Sequence, residues 1–288
     1  MVLAPRDADL YRDARVSRRT GQIAARSAEK DCHGRLSPVL PRLPRTPRRT
    51  RHGRYRGLAW PRRAPTRLVG VLVVGFDTAT PAVSVALHDG ERVVAEASAA
   101  DGRRHGELLM PMIAQVLSDA GASRADLTAV AVGVGPGPYT GLRVGVVTAR
   151  VLGAVLGIPV HGVCSLDVIA ADAPRGREFL VATDARRKEV YWARYDAAGA
   201  RLEGPAVGTA ASIPGAAGLA VAGRGGQLYP EAFGEVTGPA YPDARTLCAL
   251  VAGSRAGRAA VPLLAAEPLY LRRPDAREPG PPKRVTQP

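Results

Sequence analysis

Two aspartates end apolar, strand-like runs at matching places in two halves of the chain: Asp77 in "GFDTAT" and Asp184 in "ATDARRKE". Carboxylates placed this way can hold a divalent cation against the phosphates of a nucleotide gripped by one loop from each half. Such loops carry glycine two places after the aspartate, so that backbone can approach phosphate. Here those places hold Ala79 and Arg186. The pair therefore reads as a degenerate nucleotide site, together with Thr78, Gly135 and Gly137, or as two plain turn formers.

A second candidate is "GVGPGPYTGLRVG", Gly133 to Gly145. A phosphate-cradling P-loop needs G-x-x-x-x-G-K-[ST], and this segment has no lysine. A dinucleotide fingerprint needs G-x-G-x-x-G, and Gly135 and Gly137 are followed by Thr140 where the third glycine belongs. Helix N–H groups at its end could attract an anion, with Thr140 the expected N-cap. A structural turn explains the glycines better.

Other chemistry is thinly supported. His105 has Leu109 four residues on, so no helical metal-binding histidine pair exists there. His88 and His161 lie in strand-like runs, and His33 and His52 in the first quarter. Cys164 or Ser165 as nucleophile lacks a neighbouring base or a G-x-S-x-G elbow; a buried thiol and a capping hydroxyl fit better. Gly223, Gly225 and Gly226 read as a strand-to-helix turn, and Tyr270 and Arg272 lie in a short extended segment of no evident role.

The elements that must position these residues begin near residue 69. "VGVLVVGFD" suits a strand covered on both faces. Val83, Val85 and Leu87 then alternate with smaller residues, and Asp89-Gly90 turns the chain into a third strand. Leu108, Leu109, Met112, Ile113, Val116 and Leu117 form one wide apolar face of a helix that Gly121 closes. Pro111 places its start at 106–108. A strand "LTAVAVGVG", a helix from Thr140 to about Leu156 and a short strand "GIPVHGV" follow. That is a β-β-β-α-β-α unit with one strand leading out.

In that last helix Gly141, Gly145, Ala149, Gly153 and Gly157 recur every four residues. Glycine in a helix costs about 1 kcal/mol relative to alanine, so the stripe implies close approach of another backbone. Arg143 and Arg150 argue against a membrane, so the expected neighbour is another protein helix; the spacing leaves open whether that helix is internal or belongs to another chain. A second region begins near Ser165, where "EFLVATDARRKEVYWARYDAAG" reads as a strand pair with Val190, Trp192 and the stem of Arg194 on one face. Spacing does not place the elements between 197 and 265.

The chain has 288 residues and a formal charge of +14. Of its 40 Lys and Arg and 26 Asp and Glu, residues 1–67 hold 18 and 5, which leaves the remainder within one unit of neutral. That basic quarter lacks helical or strand period and is expected to be disordered. It reads as a loose tail, as sequence upstream of a true start at Val69 or Val71, or as an arm touching RNA phosphates. The apolar run from Leu68 to Phe76 is too short to span a bilayer and has no A-x-A cleavage site. Three cysteines, Cys32, Cys164 and Cys248, form no CxxC pair and fit a reducing cytoplasm.

From about Val71 to Asp275, the segments "GFDTAT", "GPGPYTGLRVG", "SLDVIA", "DARRKEVY" and "PLYLR" resemble, in order, the bacterial tRNA threonylcarbamoyladenosine biosynthesis family TsaB, also called YeaZ. Pro138-Tyr139 stands where that family has Ser-Phe. The resemblance implies a two-lobed actin-like ATPase fold of the ribonuclease H type, each lobe a mixed sheet with helices: a lobe at 68–164, a second at 165–275 and a loose tail at 276–288. It implies a non-catalytic subunit supporting a metal-dependent paralogue, TsaD, with a P-loop ATPase, TsaE, docking on the pair and tRNA met through the complex. ATP and a metal ion would belong to those partners, and this chain would hold no cofactor. It further implies pairing, with the paralogue or with a second copy, through helices carrying Leu108, Leu109, Met112, Val116, Gly141, Arg143, Gly145, Ala149 and Arg150. On that reading Gly145→Leu or Ala149→Leu breaks the pair and leaves the subunit folded. The competing classes are a glycoprotease-like hydrolase or ATP-binding enzyme, and an RNA-binding module using the basic arm.

Overall fold

The computed structural model describes residues 70–102, 104–258 and 261–272. The expectations for residues 1–67 and 276–288 lie outside the described residues.

The first sheet is built from β1 (Val73–Asp77), β2 (Ala82–His88), β3 (Val93–Ala100), β4 (Ala129–Gly133) and β5 (Val160–Val163), in the order β3-β2-β1-β4-β5. β1, β2 and β3 pair antiparallel, and β1, β4 and β5 parallel. Antiparallel neighbours need only a turn, whereas parallel ones need a crossover. α1 (His105–Asp119) and α2 (Tyr139–Leu156) supply those crossovers. The hairpin turn is as expected: Gly90 has φ 99°, and Asp89 Oδ1 accepts from the N–H groups of Glu91 and Arg92.

After α3 (Ser165–Ala171), the second sheet comprises β6 (Phe179–Asp184), β7 (Val190–Tyr195), β8 (Arg201–Gly208), β9 (Ala220–Ala222) and β10 (Glu235–Val236). Its order, β8-β7-β6-β9-β10, repeats that of the first sheet, with the same antiparallel and parallel pairings. The two halves are thus one topology used twice, the two-lobed actin-like α/β arrangement. Gly223 to Gly226 make the expected strand-to-helix turn, from β9 into α4 (Arg224–Leu228).

Leu109, Ile113, Val116 and Leu117 of α1 and Val146, Ala149 and Leu152 of α2 pack against Val74, Phe76, Val85, Val130 and Val132 on one face of the first sheet. Each such aliphatic side chain stabilises by roughly 1.5–3 kcal/mol when fully buried. α1 starts at His105, so Pro111 sits in its second turn, tolerated at an exposed position.

Two expectations need correction. α5 (Ala244–Arg255) lies in the segment assigned to the second lobe, yet Leu247, Cys248 and Val251 pack on Val73, Ala86, Ala129 and Ala131 of the first sheet. Gly75 makes room: a Cβ there would stand 2.4 Å from Cys248 Sγ. The small-residue stripe of α2 also faces inward. Gly141, Gly145, Ala149 and Gly153 are buried; a Cβ would meet the Thr78 carbonyl oxygen at 2.5 Å from Gly141 and Thr78 Oγ1 at 2.4 Å from Gly145. What Gly141 and Gly145 admit is the carbonyl and the hydroxyl of Thr78 in the loop after β1, and what Gly153 admits is Val160 of β5, so the stripe is filled from within the chain; Gly157, the fifth member, is the left-handed C-cap with nothing within 4 Å. Leu109, Val116 and Ala149 are likewise core, so they cannot meet another chain.

By length and composition α2 could cross a membrane, the only such helix among the described residues. Its buried side carries the fold against β4. Because Gly145 touches Thr78, Gly145→Leu is expected to destabilise the fold by more than ~3 kcal/mol through overpacking, measured by urea unfolding of the isolated chain.

Candidate functional site

The first strand of each lobe ends in the same local structure. Asp77 Oδ1 accepts from the Ala79 N–H at 2.7 Å, and Asp184 Oδ1 accepts from the Arg186 N–H at 2.7 Å. Each is an Asx turn, in which a short carboxylate satisfies the backbone two residues on. Beyond that turn the two diverge.

Asp77 is fully buried. Its other oxygen, Oδ2, accepts from Ser165 Oγ at 2.5 Å, and the Gly135 N–H donates to that same hydroxyl at 3.1 Å. The Ser165 N–H closes the loop by donating to the Gly135 carbonyl at 2.7 Å. Gly133 lies over the carboxylate, where a Cβ would stand 1.7 Å from Oδ2. Its glycine therefore serves a carboxylate of the same chain. Burial pushes the Asp77 carboxyl up to about 6, partly offset by the Ser165 and Ala79 hydrogen bonds and the charge of His105. His105 itself donates from Nε2 to the Thr80 carbonyl at 2.7 Å, tying α1 to the loop after β1.

Gly135 has φ 93°, and the Gly135–Pro136 peptide is cis. Gly137 backs onto the carbonyl of Ala79, where a Cβ would be 2.2 Å away. The loop's glycines thus admit backbone and a carboxylate from the β1 end. Pro138, not Thr140, occupies the N-cap position, and no side chain caps the helix; Thr140 lies within its first turn, exposed.

Asp184 remains half-buried at the neck of a hairpin whose tip, Arg186, Arg187 and Lys188, has φ 62°, 55° and 63°. Arg186 stands where a phosphate loop has glycine, and its guanidinium returns to Asp184 Oδ2 at 3.3 Å. The cleft between this hairpin and the Gly137–Tyr139 loop holds about 180 Å³, below the ~300–1,000 Å³ of ordinary small-molecule sites.

Sequence reasoning missed three connections here. Ser165 is no helix cap but the hydrogen-bond partner of Asp77, 88 residues away. Asp167, in the same segment, is buried and accepts from the Tyr195 hydroxyl at 2.8 Å beside Arg201 at 3.3 Å, fastening α3 to the second sheet. Burial raises its carboxyl above the usual range against the opposing pull of Arg201. Tyr270 and Arg272 join the lobes: Leu264 pairs with Gly162, the Leu269 N–H donates to the Val134 carbonyl, Tyr270 stacks on Tyr139 at 5.2 Å, and Arg272 donates to the Ala185 carbonyl and pairs with Glu189. The two thiols of the described residues, Cys164 and Cys248, are buried, and burial raises both, Cys164 to about 12. Neither is poised as a nucleophile. Among the described residues no group of three His, Cys, Asp or Glu could hold a metal ion.

A family model described as "TsaD: tRNA N6-adenosine threonylcarbamoyltransferase" matches residues 93–229. An uncharacterized Mycobacterium tuberculosis protein is 46% identical over 213 residues, 71% of this chain and 93% of that protein. The tRNA threonylcarbamoyladenosine biosynthesis protein TsaB of Escherichia coli is 39% identical over 126 residues, 43% of this chain and 54% of that protein. The crystal structure of YeaZ from Pseudomonas aeruginosa aligns with TM-score 0.58 and 27% identity, covering 70% of this chain and all of that one. The chain belongs to the TsaB/YeaZ family. The matched stretch with E. coli TsaB spans about half of that protein's length, so what the family members do is carried to this chain only as a reading of function.

The raised Asp77 carboxyl has a defined consequence. Its folded value exceeds the ordinary 3.8, so between about 4 and 6 the folded state holds more protons than the unfolded one. The resulting stabilisation is complete below about 4 and lost as pH rises through 6. Stability of the native chain relative to Asp77→Asn is expected to rise as pH falls from 7 to 4.5, by up to about 1.4 kcal/mol per pH unit. Paired urea titrations check it, and parallel pH profiles would show that Asp77 is not the group responsible.

Proposed function

We propose that this chain is the non-catalytic scaffold subunit of a cytoplasmic complex that forms N6-threonylcarbamoyladenosine at position 37 of tRNAs reading ANN codons. Its partner in this reading is a metal-bearing TsaD-type paralogue, with a TsaE-type P-loop ATPase docking on the pair. ATP and the metal ion belong to those subunits, and this chain holds neither.

The observation that carries the reading is the sealing of Asp77. A carboxylate that coordinates a metal-bound phosphate needs a free oxygen and an open approach. Asp77 instead has both oxygens engaged by Ala79 and Ser165 and lies beneath Gly133. Across the cleft, Arg186 takes the place of the glycine that would admit a phosphate. The names of the TsaB relatives supply the pathway.

The pairing surface differs from the one the resemblance suggested. The outward face of α2 carries Tyr139, Arg143, Val147, Val151 and Val155 at four-residue steps, and the three valines are 52%, 53% and 77% exposed. Met110 of α1 is also exposed, and Arg150 points to solvent, while Leu108 and Met112 are half-buried at the margin. Three valines in a row on solvent gain by burial, roughly 1.5–3 kcal/mol each when complete. We therefore assign docking of the paralogue, or of a second copy in its absence, to this face.

Val151→Asp is expected to leave the thermal unfolding of the isolated chain unchanged and to weaken co-elution with the paralogue at least tenfold. Retained co-elution would remove α2 from the interface. Depletion of this protein followed by mass spectrometry of tRNA nucleosides is expected to show loss of threonylcarbamoyladenosine; an unchanged level would overturn the reading.

A further inference from the structure

The docking face of α2 is charged as well as apolar. Arg143 and Arg150 are two helical turns apart, so both stand on one flank of the row Val147, Val151 and Val155. Both are exposed, and among the described residues neither is paired with a carboxylate. No Asp or Glu occurs anywhere in Tyr139–Leu156. The neighbouring helix offers no free one either. Of the two carboxylates of α1, Glu107 is held by Arg104 at 2.8 Å and Asp119 accepts from Gln115 at 2.6 Å.

Arg143 is also held in place. Its guanidinium lies 5.0 Å from the centre of the Tyr139 ring and donates to the Tyr139 hydroxyl at 2.6 Å. That ring stacks in turn on Tyr270, with centroids 5.2 Å apart, so the platform is itself anchored. The hydroxyl takes one guanidinium N–H and leaves the others to a carboxylate, which a planar guanidinium can grip with two parallel hydrogen bonds. An arginine ordered before binding loses less side-chain entropy on docking, and Arg and Tyr are enriched among the residues that dominate interfaces.

Beside Arg143 the surface is concave. Tyr139, Val144 and Val147 of α2 and Gly106 of α1 line an open groove of about 540 Å³. Gly106 has no side chain to fill it, and a Cβ there would meet nothing within 4 Å. An apolar side chain of a folded partner can enter such a groove between the two helices. The surface of a bilayer spans it instead.

Two copies of this chain joined through α1 and α2 would bring both pairs of arginines to the interface and no unengaged carboxylate from those helices. Like charges brought together at an interface disfavour the pairing. We propose that this face selects a heterologous protein whose docking helix is apolar and bordered by carboxylates, with Arg143 and Arg150 as the selecting pair. The proposal rests on the assignment of docking to α2 and adds to it the charge of the partner. A second copy is the disfavoured occupant.

The test is calorimetric titration of the full chain with the TsaD-type paralogue at low and high salt, beside sedimentation equilibrium of the chain alone. The double variant Arg143→Gln, Arg150→Gln keeps good helix formers and is expected to unfold thermally as the native chain does. It is expected to bind the paralogue about tenfold more weakly at low salt and to approach the native affinity at high salt, where the native advantage is screened. Residues 1–67 are common to both proteins, so the difference between them reads this face. The proposal is overturned if the double variant binds as the native chain does at low salt. It is also overturned if the native chain binds itself there as tightly as it binds the paralogue, which would make the occupant a second copy. Co-sedimentation with phosphatidylglycerol vesicles that the double variant loses would make this a lipid surface, with the same consequence. The two readings fail separately. If Val151→Asp loses the paralogue and the double variant keeps it, docking on α2 stands and its selection by charge falls; if both keep it, docking on α2 falls as well.

Discussion

A carboxylate taken out of water must find its hydrogen bonds inside the chain, and the meeting of Asp77 with Ala79, Ser165 and, through Ser165, Gly135 is where this fold converges. The three partners belong to the loop after β1, the start of α3 and the loop before α2. The carboxylate supplies the common acceptor, and the glycines around it exist so that backbone can come within reach. The Thr78 hydroxyl extends the network by donating to the Gly141 carbonyl at 2.8 Å, which seats α2 on the same loop.

The same convergence bears on function. In a phosphate clamp, the strand-end carboxylate is left open and the glycine loops face a ligand. Here the carboxylate is closed over, and the second lobe presents a strained basic hairpin in place of a glycine loop. The architecture is kept, with the strand-end carboxylate of the first lobe turned inward and that of the second half-buried. What remains outward is surface: a valine stripe along α2 and a tyrosine-bearing cleft mouth.

Much of the framework was legible because it is local. The β-β-β-α-β-α unit followed from alternation, a helical apolar face and an Asp-Gly turn, each of which acts within a few residues. The stripe Gly141, Gly145, Ala149 and Gly153 was also plain in its spacing and does mark close contact, but with the Thr78 backbone at Gly141; at Gly145 the neighbour is the Thr78 hydroxyl and at Gly153 the Val160 side chain, and the backbone of no other helix meets these glycines. Its direction was not in the spacing. A small residue records that something is near and not what; the loop carrying Thr78 and a partner helix leave the same mark. Likewise Ser165 looked like a cap because a hydroxyl at a helix start has a local use, and its bond to Asp77 spans 88 residues.

The sequence by itself determined the helices and strands of the first lobe, the duplication into two halves, the absence of a P-loop or dinucleotide fingerprint, and the family resemblance. All of these rest on short-range periodicity or on the identity of contiguous residues. Only the tertiary structure decided that α5 crosses back to the first sheet, that the glycine stripe is spent internally, that Asp77 is sealed by Ser165, and that Tyr270 and Arg272 strap the lobes together. Those are contacts between residues from 63 to 175 apart in the sequence, set by which surfaces fit once the sheets exist. Composition and spacing carry no term for that fit.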